Sequence, residues 1–208
     1  MTITPIPAGQ INWNIQNEAN VADLQTQVTT VSNLANNLSA TAPSFGLIGW
    51  TEDPITVNTG QLLVNGTLYL ARINVGATAT ATRLFWGINT AGVTPTAGQN
   101  FVSLWDSTGA RLANVNVDAR VTGTGLFQES ISVALTPGFY WVGFLFNAGT
   151  APSVYRANSL NGTLTNTGLA TNALRYATNG TGLTASPASI APASNSVSMF
   201  SLFATLAP

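Results

Sequence analysis

The chain has 208 residues with only 6% charged and a net charge of −1, against about 25% charged in ordinary soluble proteins, so its surface must be covered by neutral polar groups such as its 29 Thr and 21 Asn. No Lys, His or Cys is present, which excludes a basic nucleic-acid footprint, disulfides, thiolate chemistry and cysteine-based zinc sites. Hydrophobic residues at 45%, with 18 aromatics among them, exclude a disordered chain.

The opening "MTITPIPAGQ" has neither a basic n-region nor an apolar h-region, so no secretory signal is expected. The longest apolar run, "FYWVGFLF", is about eight residues, far short of the ~20 needed to span a bilayer, and no membrane anchor is expected. Residues 1–16 place Ile3, Ile6, Ile11, Trp13 and Ile15 among Pro and Gly. That is too apolar for a free tail and too short for a core. Such a segment is expected to dock on a partner and order there.

"VADLQTQVTTVSNLANNL", residues 21–38, reads as a long helix inside an expected helical region 17–40. With Val21 at a heptad a position, Val21, Leu24, Val28, Val31, Ala35 and Leu38 occupy a and d through three heptads without drift. Asn17 or Asn20 is expected to cap the start, which would put Asp23 in the first turn, where the helix dipole favours it. A helix of this length does not hold its shape alone in water. It must either lie against its own domain or form a coiled coil. The undrifting spacing and its place outside the β-rich sequence favour the coiled coil. Val at a with Leu at d leans toward dimers, and the seam alone does not set the strand number. Burying six seam residues only about matches the entropy of ordering the helix. Association through something C-terminal to it is therefore expected as well.

From residue 41 to 208 the chain is short apolar runs separated by turn signals. "QLLVNGTLYLARINV" predicts a hairpin about Asn65-Gly66. "TATATRLFWGIN" predicts a strand with Trp86, Leu84 and Ile88 facing the core. "FVSLWDSTGARLANVNV" predicts two strands about a type I turn, Asp106 to Gly109. "FQESISVAL" and "FYWVGFLF" flank Thr136-Pro137-Gly138, and the second run, apolar on both faces, predicts a central strand buried on each side. The polar passage 156–196 is too long for an ordinary connection and is expected to wrap a surface or an interface. "SVSMFSLFATLAP" predicts a final strand. The expected fold is mainly β: an antiparallel, jelly-roll-like β-sandwich preceded by a short N-terminal coiled-coil helix. The Asn-Gly-Thr triplets at Asn65, Asn161 and Asn179 fit the glycosylation pattern but are read as turns.

Catalysis is nearly excluded by the missing residue types. Without His, Cys or Lys there is no ordinary triad, cysteine nucleophile, Schiff base or P-loop. Glycoside hydrolysis needs only two carboxylates, and Glu52, Asp53, Asp106, Asp118 and Glu129 are the candidates. Asp106 is accounted for by its turn and Glu52-Asp53 lies in a loop before Pro54, and no Asp-rich loop suggests a calcium site. Neither enzymatic activity nor a cofactor or metal is expected. Aromatics beside Arg and Asn amides suit stacking on sugar rings. Trp50, Trp105, Tyr155 and Tyr176, helped by Arg156 and Arg175, are the candidate glycan-binding residues; core or subunit contacts are the alternative.

Four stretches follow one another in order: "GTLYLARINV", "AGVTPTAGQNFVSLWDSTGARLANV", "LTPGFYWVGFLFNAGTAPSVYRA" and "LRYATNGTGLTASPASI". They resemble the β-sandwich module of minor tail and fibre proteins of phages that infect actinobacteria. "PIPAGQINWNIQNEANVADL" is similar to the Pro-rich, Asn-Trp-containing opening of such proteins, which precedes a short oligomerising helix. The resemblance covers most of the chain, rests on structural motifs and carries no functional residue across. It implies a virion component, commonly trimeric, displayed on the particle surface. The chain is shorter than tail fibres of that kind, and short trimeric spikes also decorate heads, so tail and capsid attachment both stay open. In that setting segment 1–16, through Ile11, Trp13 and Ile15, attaches to another virion protein. The helix is then an oligomerising stalk, and the heads either bind a host-surface glycan or decorate the particle. No nucleic acid or membrane partner is expected.

Overall fold

A computed structural model describes the backbone of residues 13–38, 41–157 and 162–208, and the side chains of 17–31, 41–157 and 164–208. The helix α1 runs from Trp13 to Leu38. It starts ahead of the expected residue 17 because no Pro or Gly lies between Gln10 and Ser39 to break it. Asn17 and Asn20 therefore sit inside the helix rather than at its cap, and Asp23 lies well past the first turn. Asp23 instead accepts a hydrogen bond from Gln27 Nε2 at 2.8 Å. Thr26, Thr29 and Thr30 turn their hydroxyls back onto carbonyls one turn earlier, at 2.9–3.0 Å. The seam residues Val21, Leu24, Val28 and Val31 are 50, 42, 65 and 65% exposed. An amphipathic helix lying on its own domain would bury that stripe, and this one does not. The side chains of Ala35 and Leu38 lie outside the described residues.

The sheets that follow are antiparallel, joined by loops, short 3-10 turns and a one-turn helix at Gly162–Thr165. In chain order the strands are β1 (Gly49–Trp50), β2 (Val57–Leu62), β3 (Tyr69–Val75), β4 (Ala79–Thr90), β5 (Val93–Pro95), β6 (Phe101–Asp106), β7 (Arg111–Asn116), β8 (Gly125–Leu135), β9 (Gly138–Leu145), β10 (Ala148–Thr150), β11 (Ser153–Ala157), β12 (Tyr176–Thr178), β13 (Ser196–Val197) and β14 (Ala204–Ala207). The first sheet has the order β1-β14-β4-β11-β2, with β8 on the other edge of β4. The second has the order β13-β12-β3-β9-β6-β7, and β5 and β10 form a separate ribbon. The long strand β4 organises the first sheet. It pairs with β8 along one edge and with β14 and then β11 along the other. Among the described residues, no helix is long and apolar enough to cross a membrane.

The two sheets share one core. Leu84, Trp86, Ile88 and Leu206 of the first meet Ile73, Leu104, Val142 and Phe144 of the second. Trp86 lies in it fully buried, with the rings of Phe127, Phe146 and Phe144 at 5.3, 5.8 and 6.3 Å. Its indole N–H reaches Glu129 Oε1 at 3.3 Å, and Arg120 pairs with the same oxygen at 3.1 Å. This partnering is why a carboxylate can be buried beside an aromatic core.

The turn about Asp106 forms as its residues require. Gly109 N–H returns to Asp106 O at 3.0 Å with φ +96°, and β6 pairs with β7. The expected hairpin about Asn65-Gly66 does not form. β2 pairs with β11, whereas β3 pairs with β9 and β12. The bend, with Gly66 at φ +70°, carries the chain from one sheet to the other. The Asn65 amide is anchored to the backbone of Ala148, far along the chain, at 2.6 and 3.2 Å. The bend at Thr136-Pro137-Gly138 behaves likewise, sending β8 to the first sheet and β9 to the second. The Tyr140 hydroxyl closes it by accepting from Thr136 N–H at 2.9 Å.

β9 is buried on both sides, as its double-sided apolar pattern predicts. Its second face, with Trp141 and Leu145, joins Leu68, Leu70 and Trp105 on the outside of the second sheet. The polar passage extends this sheet with Ala177 of β12 and covers its outside through Leu174 and Ile190. It is held by Ile190 N–H to Gly109 O at 2.8 Å and Asn179 N–H to Leu68 O at 2.9 Å. The final strand is limited to β14, with the short β13 pairing separately against β12.

Candidate binding cleft

A cleft of about 450 Å³ opens where the edge strand β1 meets β3 across the two sheets. Gly49 permits the approach: a β-carbon there would sit 2.6 Å from Asn74 O. The lining includes Trp50, Glu52, Asp53, Arg72, Asn74 and Arg175. Arg72 and Asn74 project here because they alternate along β3 with the core residues Ala71, Ile73 and Val75. Trp50 is half-buried, with Phe45 at 5.8 Å between ring centres. Asp53 Oδ1 accepts from Ile55 N–H at 3.0 Å, which fixes the loop after Glu52.

The floor of the cleft is a polar network. Arg175 Nη2 lies 3.3 Å from Glu52 Oε1. The Tyr176 hydroxyl donates to the same carboxylate oxygen, with Thr51 O 3.2 Å away. Burial pushes the Tyr176 hydroxyl far above the ordinary tyrosine pKa, and the negative charge of Glu52 adds to this against the opposing Arg175. The phenol therefore stays protonated as a donor. Arg72 donates to Ala173 O at 2.6 Å and holds its guanidinium 5.4 Å from the Phe139 ring centre. Burial first, and then the like charge of Arg175, lower its pKa. A half-open indole wall above carboxylate, guanidinium and amide groups is chemically suited to a polyhydroxylated ligand. Each side supplies something different: apolar ring contact from Trp50, directional hydrogen bonds from the floor.

Of the six candidate glycan-binding residues, this site gathers three. Trp50 and Arg175 line it, and Tyr176 supports it from beneath. Tyr176 is fully buried, so it is corrected from an exposed stacking residue to a donor under the floor. Trp105 is corrected as well. It is fully buried in the outer cluster of the second sheet, with its indole N–H 3.3 Å from Pro187 O. The passage 174–190 that buries it has no periodicity from which the burial could be read. Tyr155 and Arg156 stand on β11, away from the cleft, both half-buried. The Tyr155 ring lies against Gly87, 2.7 Å from where a β-carbon on that residue would be, and lines a groove of about 550 Å³ on the outside of the first sheet with Leu47, Val57, Phe85, Leu126 and Phe203. Sequence reasoning missed Arg72 and Asn74, although their polar alternation in "LARINV" is a visible signal of a solvent-facing side. Ile11 lies outside the described residues; Trp13 and Ile15 are on helical backbone, with side chains outside the description. Among the described residues, no three acidic side chains gather as metal ligands.

Compared with known proteins, the chain matches no family model and no curated protein.

Proposed function

We propose that this protein is a trimeric surface spike of a phage particle, with a coiled-coil stalk and a jelly-roll head that binds a host glycan in the Trp50 cleft. The observation that carries the reading is the bare seam of α1, where four regularly spaced apolar residues face solvent in a single chain. A stripe of that kind is stable in water only when it is covered, and the same stripe on a second and third helix covers it. The trimer, the particle and its tail come from the resemblance of "FVSLWDSTGARLANV" and the neighbouring stretches to actinobacteriophage fibre modules. The jelly-roll topology is supported by the chain's repeated passage between sheets, at Asn65-Gly66 and again at Thr136-Gly138. Segment 1–16 serves as the attachment point, as its apolar residues suggest.

Two measurements test this reading. Light scattering on full-length protein is expected to give three times 21.5 kDa. Gold-labelled antibody against the β-domain is expected to decorate intact particles at the tail. A monomer at micromolar concentration, or particles without label, would overturn the proposal. Label on the heads would instead assign the protein to capsid decoration, the second reading.

A further inference from the structure

We propose that the groove on the outside of the first sheet is where the heads of neighbouring copies pack together. The inference rests on the oligomer reading above and assigns it a second contact.

The two sheets differ in what covers them. The passage 174–190 seals the outside of the second sheet with its own apolar residues. The outside of the first sheet keeps an apolar groove built by Leu47, Val57, Phe85, Leu126, Tyr155 and Phe203. Leu126 is 63% exposed there. Exposed apolar groups set around a groove mark a surface that is covered in the working assembly.

The occupant follows from position and charge. The groove opens at the end of the domain where the stalk arrives. Leu47 N–H bonds back to Ala42 O at 3.1 Å, and Ala42 opens the short turn Ala42–Phe45 that follows α1. Helices joined along the Val21–Val31 seam bring these ends of the copies together. All six named lining residues are uncharged. In a closed trimer each copy sets this face against the next, and near the three-fold axis the same residues of all copies converge, where like charges would oppose one another, so a neutral face fits a second copy of this chain. A sugar fits poorly: of the groove's lining side chains only those of Tyr155 and Thr205 carry a hydrogen-bonding group, too few to hold a polyol. The seam's own burial leaves little surplus after the helix is ordered, and a contact between heads supplies what the stalk alone lacks.

The chain has no cysteine, so Leu126→Cys introduces a unique thiol at a site whose exposure spares the core. Ser107→Cys, in the exposed Asp106–Gly109 turn, is the reference. Maleimide labelling is followed on both full-length variants at a concentration where light scattering shows the oligomer. The Leu126→Cys thiol is expected to react at least about tenfold more slowly than the Ser107→Cys thiol, and equally fast after dilution to monomer. Leu126→Asp is expected to raise the dissociation concentration at least about tenfold while the β-sheet circular dichroism is kept. A stable oligomer whose Leu126→Cys thiol reacts as fast as the reference gives the groove to another occupant and overturns this inference, leaving the stalk intact. A wild-type monomer removes both readings.

Discussion

The ring of Trp105 occupies the space that a side chain at position 143 would need: a β-carbon on Gly143 would lie 2.4 Å from Trp105 Cζ3. The indole of a strand-end residue therefore lies flat across β9 and under the passage that ends in Ile190. Gly143→Ala is expected to destabilise the fold by about 1–3 kcal/mol through overpacking against a ring that cannot retreat. Trp105→Ala is expected to cost about 3–5 kcal/mol as a large buried truncation. Urea denaturation followed by tryptophan fluorescence measures both. If Gly143→Ala leaves the midpoint unchanged, the ring does not pack as described.

Val28 and Val31 show the opposite arrangement, two apolar side chains turned outward. Replacing both with Asp removes nothing from the β core, so the midpoint of β unfolding is expected to stay within about 0.5 kcal/mol of wild type at equal association. Association itself is expected to weaken, because each carboxylate would be placed in an apolar seam. Sedimentation across a concentration series checks this, with a shift toward 21.5 kDa as the expected result. Unchanged mass would show that the seam is not the stalk contact.

What was legible in the sequence was whatever depended on neighbours along the chain. The Asp106 turn, the burial of Trp86 and the two-sided burial of β9 all follow from local chemistry and period. The Asn65-Gly66 signal also reported a real bend, with Gly66 in the left-handed region. Nothing local could report that the flanking strands would leave for different sheets, since that choice rests on Ala148 and on the partners of β2 and β3. The burial of Trp105 was hidden because the segment covering it is irregular and anchored by single backbone hydrogen bonds, and that of Tyr176 because its three-residue strand joins the second sheet only through a pairing with β3 far along the chain. The cleft was half legible. Trp50 and Arg175 stood out as residue types, but their meeting with Arg72 and Asn74 depends on β1 crossing to β3.

Asp106 and Asp118 make stability depend on acid. Asp106 Oδ1 accepts from the Thr108 hydroxyl at 2.7 Å and from Thr108 and Ala110 N–H at 2.9 and 3.0 Å. Asp118 accepts from Gly98 N–H at 2.6 Å and from the amides of Asn100 and Asn116. Burial alone would raise both carboxyls, but these hydrogen bonds outweigh it and hold both below the ordinary value of 3.8. The folded state thus binds fewer protons than the unfolded state near and below that value. Their stabilisation is fully present above it and is lost as pH falls through the lowered values. Thermal melts are expected to be flat from neutral pH down to about pH 5 and to fall below about pH 4. Asp106→Asn is expected to cost about 1 kcal/mol at neutral pH by weakening charge-assisted bonds, and to shrink the acid-induced fall. An equally steep fall in that variant would place the acid sensitivity elsewhere.

The cleft yields the prediction closest to function. A glycan held there would stack on Trp50 and bond to the Glu52–Arg175 floor, whose two guanidiniums and two carboxylates leave no net charge to steer it. Attachment is therefore expected to persist in a host cell-envelope pull-down between about 0.05 and about 0.5 M salt, a range over which contact through a charged patch would be screened. Trp50→Ala is expected to reduce retention about tenfold, or ~1.4 kcal/mol. Its half-buried ring contributes less to the core than Trp105, so the melting midpoint should move little. Tyr176→Phe separates support from contact. It removes the donor to Glu52 without reaching the ligand, and is expected to lower stability by about 1 kcal/mol because a partly buried carboxylate loses a partner. Three heads on one stalk would raise weak single-site affinity through effective concentration, so the same pull-down with the Val28→Asp/Val31→Asp variant is expected to retain far less protein. If wild type binds no envelope fraction at either salt, the receptor role falls and the spike is left as a decoration of the particle.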